Sequence, residues 1–215
     1  DRLVSDAVMA LVPQKTEKIF AGKSCKGKAM TQEEINALLI KLSSEGKNVV
    51  RLKGGDPMLF GRGGEEALVL AENDIPFEII PGITSAQGCG AIAGIPLTHR
   101  GLASGVRFFT GHRMTKEEAQ QELELDWKGL ADPDTTLVVY MGLANLGTIC
   151  QKLIEHGLPP DFPAAAIQDG TMPKQRILLA DLATLPQKVT TAAFEPPTLV
   201  IIGKVVGLSG KIVLN

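Results

Sequence analysis

The feature that most constrains this chain is an alternation. Short β-prone apolar runs end in glycine- or proline-rich turns, and each is followed by a helix-prone stretch. Residues 18–22 read as a short strand. Thr31 can cap a helix over 32–44, with Ile35, Leu38, Leu39 and Leu42 at helical spacing and Gly46 as its stop. Residues 48–52 read as a strand running into Lys53-Gly54-Gly55-Asp56-Pro57, and 65–73 as a helix. Residues 76–80 read as the next strand, ending in Pro81-Gly82-Ile83-Thr84-Ser85, with a small-residue helix to about Ala93. This β-α-β-α-β order implies a parallel sheet with right-handed crossovers.

The second half repeats the alternation. Residues 106–110, 137–141, 164–167, 176–180 and 199–202 are strand candidates, with helices over 143–156 and around 181–188. Short links late in the chain fit a mixed sheet. The expectation is an α/β protein of two lobes, 1–103 and 104–215, with no internal repeat.

A chain of 215 residues, 44% hydrophobic and 21% charged, can bury a real core and is too apolar for disorder. Its apolar runs are short, so no membrane span is expected. Cys25, Cys89 and Cys150 are far apart and lack C-x-x-C spacing. That argues against a disulfide scaffold or zinc ribbon and for a reducing, cytoplasmic compartment. Residues 1–62 carry 11 Lys/Arg against 7 Asp/Glu, and the remainder 11 against 17. The basic excess is too weak for a nucleic-acid arm, but it suits a small polyanion or ordinary solvated helix faces.

Ligands of open parallel sheets bind beyond the carboxyl ends of the strands. Two such ends are rich in glycine. The segment 53–64 holds five glycines within the eleven residues 54–64, more than one turn needs, and is neither G-x-G-x-x-G nor a P-loop. At 81–85, Thr84 or Ser85 either caps the following helix or faces a ligand. His99-Arg100 follows a proline turn, and His112-Arg113 follows a strand. Both dipeptides are anion-site candidates, although a lone histidine is more often a surface group. No H-E-x-x-H cluster argues for a metal, and no G-x-S-x-G elbow argues for a serine hydrolase.

The motifs resemble those of the tetrapyrrole methylases, and among them the uroporphyrinogen-III C-methyltransferases. The residues that carry the resemblance begin with Asp1-Arg2-Leu3-Val4, Gly22-Lys23, 32–36, 49–57, Phe60-Gly61-Arg62-Gly63 and Glu65-Glu66. They continue with Pro81-Gly82-Ile83-Thr84, 94–100, Thr110-Gly111-His112, Tyr140-Met141-Gly142 and Asp169-Gly170-Thr171, in order along the whole chain. The resemblance implies a two-lobed homodimer with its active site between the lobes. It also implies S-adenosylmethionine as methyl donor, no metal, and methylation of uroporphyrinogen III at C2 and C7 to precorrin-2, on the route to siroheme or cobalamin. It implies Asp1 as proton acceptor and Lys23 as proton donor. Gly54, Gly55, Asp56, Leu59, Thr84, Ser85, Met141 and Gly170 match its cofactor-contacting positions. Lys28, Arg62, His99, Arg100 and Arg113 are the cations available for the carboxylates of the macrocycle.

The sequence departs from the family pattern in three places. The family carries a strand with a G-x-G-P-G-D loop, then a second strand, before the position of Asp1, so the first-lobe sheet is expected to lack these strands here. Relatives often have Arg and His where Ser24 and Lys28 stand, and Ile where Leu59 stands. Two other readings remain open at this point: a sister methylase acting on a later corrin precursor, and an inactive piece that only dimerises or binds tetrapyrrole. For the glycine loop, a valine at Gly54 is expected to abolish donor binding with little loss of fold.

Overall fold

The structure, a computed structural model, describes residues 1–22, 30–111 and 125–212. The chain forms two compact units, Asp1–Thr84 and Ser85–Asn215. Residues 85–103 therefore pack with the second unit.

The first unit contains helices α1 (Asp6–Met9), α2 (Gln32–Ser44) and α3 (Gly63–Glu72). Helix α2 starts where its sequence says it should. The Thr31 hydroxyl accepts the Glu34 amide at 3.2 Å, and the Glu34 carboxylate accepts the Thr31 amide at 2.7 Å, a reciprocal capping box. Ile35 and Leu39 form its buried stripe.

The strands expected at 18–22, 48–52 and 76–80 form no β-ladder among the described residues, so the parallel sheet expected for the first lobe is not seen there. The physical reason is that an apolar, β-branched run records a capacity to pair, whereas a strand exists only with a hydrogen-bonded neighbour. Without one, Ile19, Phe20, Val50, Phe77 and Ile80 stay exposed, Val50 at 80%.

The second unit holds α4 (Ser85–Ile92), β1 (Gly105–Thr110), α5 (Trp127–Leu130), β2 (Thr135–Tyr140), α6 (Leu146–Glu155), β3 (Pro163–Gln168), β4 (Arg176–Asp181), α7 (Leu185–Thr191) and β5 (Thr198–Ile202). All five strand candidates of the second half are strands, in the order β1-β2-β5-β3-β4. β1 and β2 run parallel, while β5 is antiparallel to β2 and β3, and β4 is antiparallel to β3. The helix expected over 143–156 begins with a 3-10 turn at Leu143–Asn145 before α6. The helix expected near 181–188 starts only after β4 has ended.

The sheet is covered on both faces, which explains why its central strands read as continuous apolar runs. Leu137, Val139, Ala164, Ala166, Val200 and Ile202 turn to the face packed by α6 and α7. Val138, Ala165, Ile167, Leu199 and Ile201 turn to the face packed by Ala86 and Cys89 of α4. The period of two along each strand sets this division. Ile149 and Leu153 of α6 are wholly buried. Leu153→Ala is expected to cost about 2–5 kcal/mol, read as a lowered urea midpoint.

Candidate functional site

In the first unit, the structure joins the two glycine-rich segments through one carboxylate. Asp56 Oδ2 accepts the Gly82 amide at 3.0 Å, and Oδ1 accepts the Met58 amide at 2.8 Å. These amide hydrogen bonds, Gly82 first and Met58 next, hold the Asp56 carboxyl below its ordinary value of 3.8. The loops also approach closely: a Cβ on Gly82 would collide with the Gly55 carbonyl oxygen. Asp56 is thus a clasp between loops, a role that sequence spacing does not reveal.

The sign of its pH dependence follows. Because the folded value is depressed, the clasp is at full strength above the ordinary value of 3.8 and is lost as pH falls through the lower folded value. Asp56→Ala is expected to loosen the 81–84 segment at neutral pH. Amide exchange at Gly82 faster than in the parent protein is the measurement, and parent-like protection would contradict the clasp.

The segment Asp1–Val4 lies against the same loop. The Asp1 nitrogen is 3.4 Å from the Leu52 carbonyl oxygen, and the Leu3 carbonyl oxygen sits 2.9 Å from where a Gly54 Cβ would be. The missing side chain of Gly54 therefore makes room for Leu3. Gly54→Val is expected to disturb the fold as well as any ligand, which corrects the expectation of little structural loss. Gly54 and Gly55 are exposed, Leu59 is half-buried, and Phe60 and Arg62 hold positive φ of 51° and 59°. Such conformations in non-glycine residues concentrate at functional loops.

Sequence reasoning missed the buried charge cluster behind this loop. Glu66 of α3 accepts hydrogen bonds from Arg51 Nε (3.2 Å), Lys53 Nζ (3.1 Å to each oxygen) and Gln32 Nε2 (3.2 Å). The available signal was a carboxylate on a helix face otherwise lined by Ala67 and Leu70. Burial, and then Arg51, push the Lys53 ammonium below its ordinary value, partly offset by Glu66.

In the second unit, Ser85, Met141 and Gly170 come together at one sheet edge. Val139 and Ala166 both stand opposite Val200 of β5, so the carboxyl ends of β2 and β3 point the same way. They lie two strand spacings apart, about 9.5 Å. Met141, Asp169 and Thr171 there hold positive φ of 53°, 49° and 68°, and Met141 is 53% exposed. The start of α4 reaches this edge. The Ala86 amide donates to the Tyr140 hydroxyl at 3.0 Å, and the Gly88 Cβ position lies 3.2 Å from Thr171 Cγ2.

The basic candidates are dispersed. His99 and Arg100 are exposed on a turn before β1, beside a cavity of about 610 Å³ that Ser104 and Asp134 also line. Because Ser104 donates to the Asp134 carbonyl at the amino ends of β1 and β2, this is the sheet edge opposite Met141 and Gly170. The two edges are separated by a six-residue strand, roughly 20 Å. Arg62, in the first unit, is exposed and held bidentately by Glu65, at 2.9 Å and 2.6 Å. Lys23, Lys28 and Arg113 lie outside the described residues. Among the described residues no group of three or more His, Cys, Asp or Glu is placed to hold a metal ion, and no helix is long and apolar enough to cross a membrane.

Comparison with known proteins supplies an independent line. Residues 1–186 match the family model described as Tetrapyrrole (Corrin/Porphyrin) Methylases. The chain is 51% identical over 212 residues to a siroheme synthase of Nitrosospira multiformis, covering 99% of this chain and 44% of that protein. It thus spans about 44% of the length of the curated relatives it matches. Among solved structures, the uroporphyrin-III C-methyl transferase of Thermus thermophilus, complexed with S-adenyl homocysteine, is 40% identical. It superposes with a TM-score of 0.76 over 96% of this chain and 84% of that one. A cobalt precorrin-4 methyltransferase, 24% identical with a TM-score of 0.80 over 96% of this chain and 82% of that one, shares the fold.

Proposed function

The chain belongs to the tetrapyrrole methylase family, and on that premise we propose that it transfers methyl groups from S-adenosylmethionine to C2 and C7 of uroporphyrinogen III, giving precorrin-2. The observation that carries the reading is the likeness, at 40% identity over 96% of the chain, to a uroporphyrin-III C-methyl transferase complexed with S-adenyl homocysteine. The sister reading, a later corrin-precursor methylase, has behind it a likeness at 24% identity, which speaks for the fold alone.

The residues present fit such a donor. Gly54, packed against Leu3 on its Cβ side, and Gly55 offer exposed backbone, and the Asp56 carboxylate is engaged by amides, so it keeps the loop in place beside a cationic ligand. Thr84 and Ser85 offer hydroxyls at the end of the second glycine segment. Met141 offers main-chain groups and a soft side chain at the end of β2, and Gly170, half-buried with Cys89 against its Cα, offers main-chain groups at the end of β3. When bound, the donor supplies an electrophilic methyl on a sulfonium. The protein's own tasks are alignment of the acceptor carbon with that methyl and the handling of ring protons. Asp1 accepts the proton that leaves the ring, and Lys23 returns one elsewhere.

The direct test incubates full-length protein with S-adenosylmethionine and uroporphyrinogen III and weighs the product. A gain of two methyl groups is expected, and no mass change would sink the reading. The working form is taken as a cytoplasmic homodimer, and light scattering of the purified protein at the monomer mass would contradict the dimer.

The substrate carries eight carboxylates, so cations must meet some of them. Arg100 lies at the sheet edge away from Met141 and Gly170. Arg100→Ala is therefore expected to raise KM for the macrocycle by roughly tenfold or more, the loss of one charge-assisted hydrogen bond of about 1.5–3 kcal/mol, and to leave KM for the donor unchanged. Equal effects on both would count against a carboxylate role.

A further inference from the structure

We propose that Glu66 is a positioning residue for the glycine loop that precedes it in the chain. It holds Lys53 and Arg51 in a buried ionic cluster and thereby sets the backbone of Gly54 and Gly55. The proposal rests on the reading that this loop meets the methyl donor.

Glu66 is the meeting point of three segments of the first unit. Its side chain is 6% exposed, that of Lys53 7% and that of Arg51 18%. Both Glu66 oxygens accept from Lys53, thirteen residues earlier, and one also accepts from Arg51 and from Gln32 of α2. Gln32 in turn donates to Asn36 at 3.0 Å, which ties the cluster to the next turn of α2. A buried carboxylate without its cations would be strongly unfavourable, so these partners hold one another in a defined geometry.

The loop needs such an outside anchor. Gly54 and Gly55 have no side chains with which to fix themselves, and Gly55 takes a positive φ of 76°. Their position is inherited from the residues on either side. On one side Asp56 is clasped to the amides of Gly82 and Met58. On the other, Lys53 is clasped to Glu66. Stability alone would not require ions at this spot, because well-packed apolar residues of similar volume serve as well or better. What the ionic set adds is a fixed direction for residue 53, and with it the path of the exposed glycines.

Two variants of the full-length protein separate positioning from plain stability. Glu66→Gln keeps size and one acceptor oxygen but removes the charge and replaces the second acceptor with a donor. The triple variant Arg51→Met, Lys53→Met, Glu66→Leu removes all three ions together. S-adenosylhomocysteine affinity is read by calorimetry, folding by the urea midpoint, and macrocycle use by its KM. Glu66→Gln is expected to weaken S-adenosylhomocysteine at least tenfold while the macrocycle KM moves less than twofold. The triple variant is expected to match the parent urea midpoint and still bind the nucleoside at least tenfold more weakly. Parent-like affinity in the triple variant would overturn the proposal and leave the cluster a stability element, whether or not Glu66→Gln folds. If the parent protein itself fails to bind S-adenosylhomocysteine, the proposed function falls and this inference with it. Parent binding with unaffected variants sinks the inference alone.

Discussion

Gly82→Val is expected to drive the two glycine-rich segments of the first unit apart and to weaken donor binding. The Cβ of any side chain at this position lands on the Gly55 carbonyl oxygen, a backbone atom that cannot swing aside as a side-chain tip can. Relief requires Gly55 or Gly82 to move, and either shift stretches the 3.0 Å bond from the Gly82 amide to Asp56. Overpacking of this kind costs about 1–3 kcal/mol, and valine adds two methyl groups beyond the first clash. If that cost falls wholly on the liganded loop arrangement, S-adenosylhomocysteine affinity drops by roughly 5- to 150-fold. Whatever part of the cost the unliganded loops already carry lowers the urea midpoint instead, because the clasp joins the loops without ligand too. Calorimetry on the full-length variant showing parent affinity and a parent midpoint would mean that the loops do not meet as described. Gly82→Ala carries the same first carbon and should show most of the effect, which separates the collision from a general dislike of bulk.

The sheet of the second unit was readable from sequence because both its faces are covered. Burial on both sides forces continuous apolar runs, and runs such as Leu199-Val200-Ile201-Ile202 admit few alternatives once bounded by turns. Helix α2 was readable because its cap and its apolar stripe agree, Thr31 with Glu34 at one end and Ile35 with Leu39 along one face. The first-half strands were misread for a related reason. Val49 and Val50 advertise β structure in the same way as Val138 and Val139, but pairing is a property of two segments, and sequence displays only one of them. Val138 and Val139 have β1 and β5 on either side, whereas Val49 and Val50 have no ladder partner among the described residues.

The candidate site divides along similar lines. Backbone positions at strand ends, such as Met141 and Gly170, follow from topology, so their gathering at one edge was implicit once β2 and β3 were recognised as co-directional. Side-chain networks were not implicit. Nothing in the spacing of Gln32, Arg51, Lys53 and Glu66 announces that they meet. The test for a buried carboxylate is three-dimensional, since cations must arrive from other elements to make it tolerable. That a full strand length separates His99 and Arg100 from Met141 could not be read from spacing, because adjacency to an apolar segment does not say at which end of a sheet that segment lies.

Asp1→Asn should slow turnover by about 10²–10⁴-fold while leaving both ligand affinities and thermal stability close to those of the parent protein. Asp1 touches the fold lightly. Its Oδ1 accepts the amide of Arg2 at 2.6 Å, a bond that an asparagine oxygen can also accept, and its side chain lies at the exposed end of the segment that Leu3 packs against Gly54. Structure is therefore preserved by the isosteric change, and what disappears is a group able to take up a proton. Methylation of a reduced pyrrole carbon places positive charge on the ring, and that charge is neutralised when a proton leaves a neighbouring carbon. A carboxylate beside the donor loop is suited to that step, and an amide is not. The measurement is the rate of two-methyl product formed at saturating donor and macrocycle, alongside S-adenosylhomocysteine affinity and a melting curve. Slow turnover with intact affinity assigns the proton step to Asp1. A parent rate would remove Asp1 from the chemistry and leave the acceptor to be sought among other groups near Gly54. Loss of affinity together with rate would instead mean that Asp1 organises the loop rather than receiving the proton.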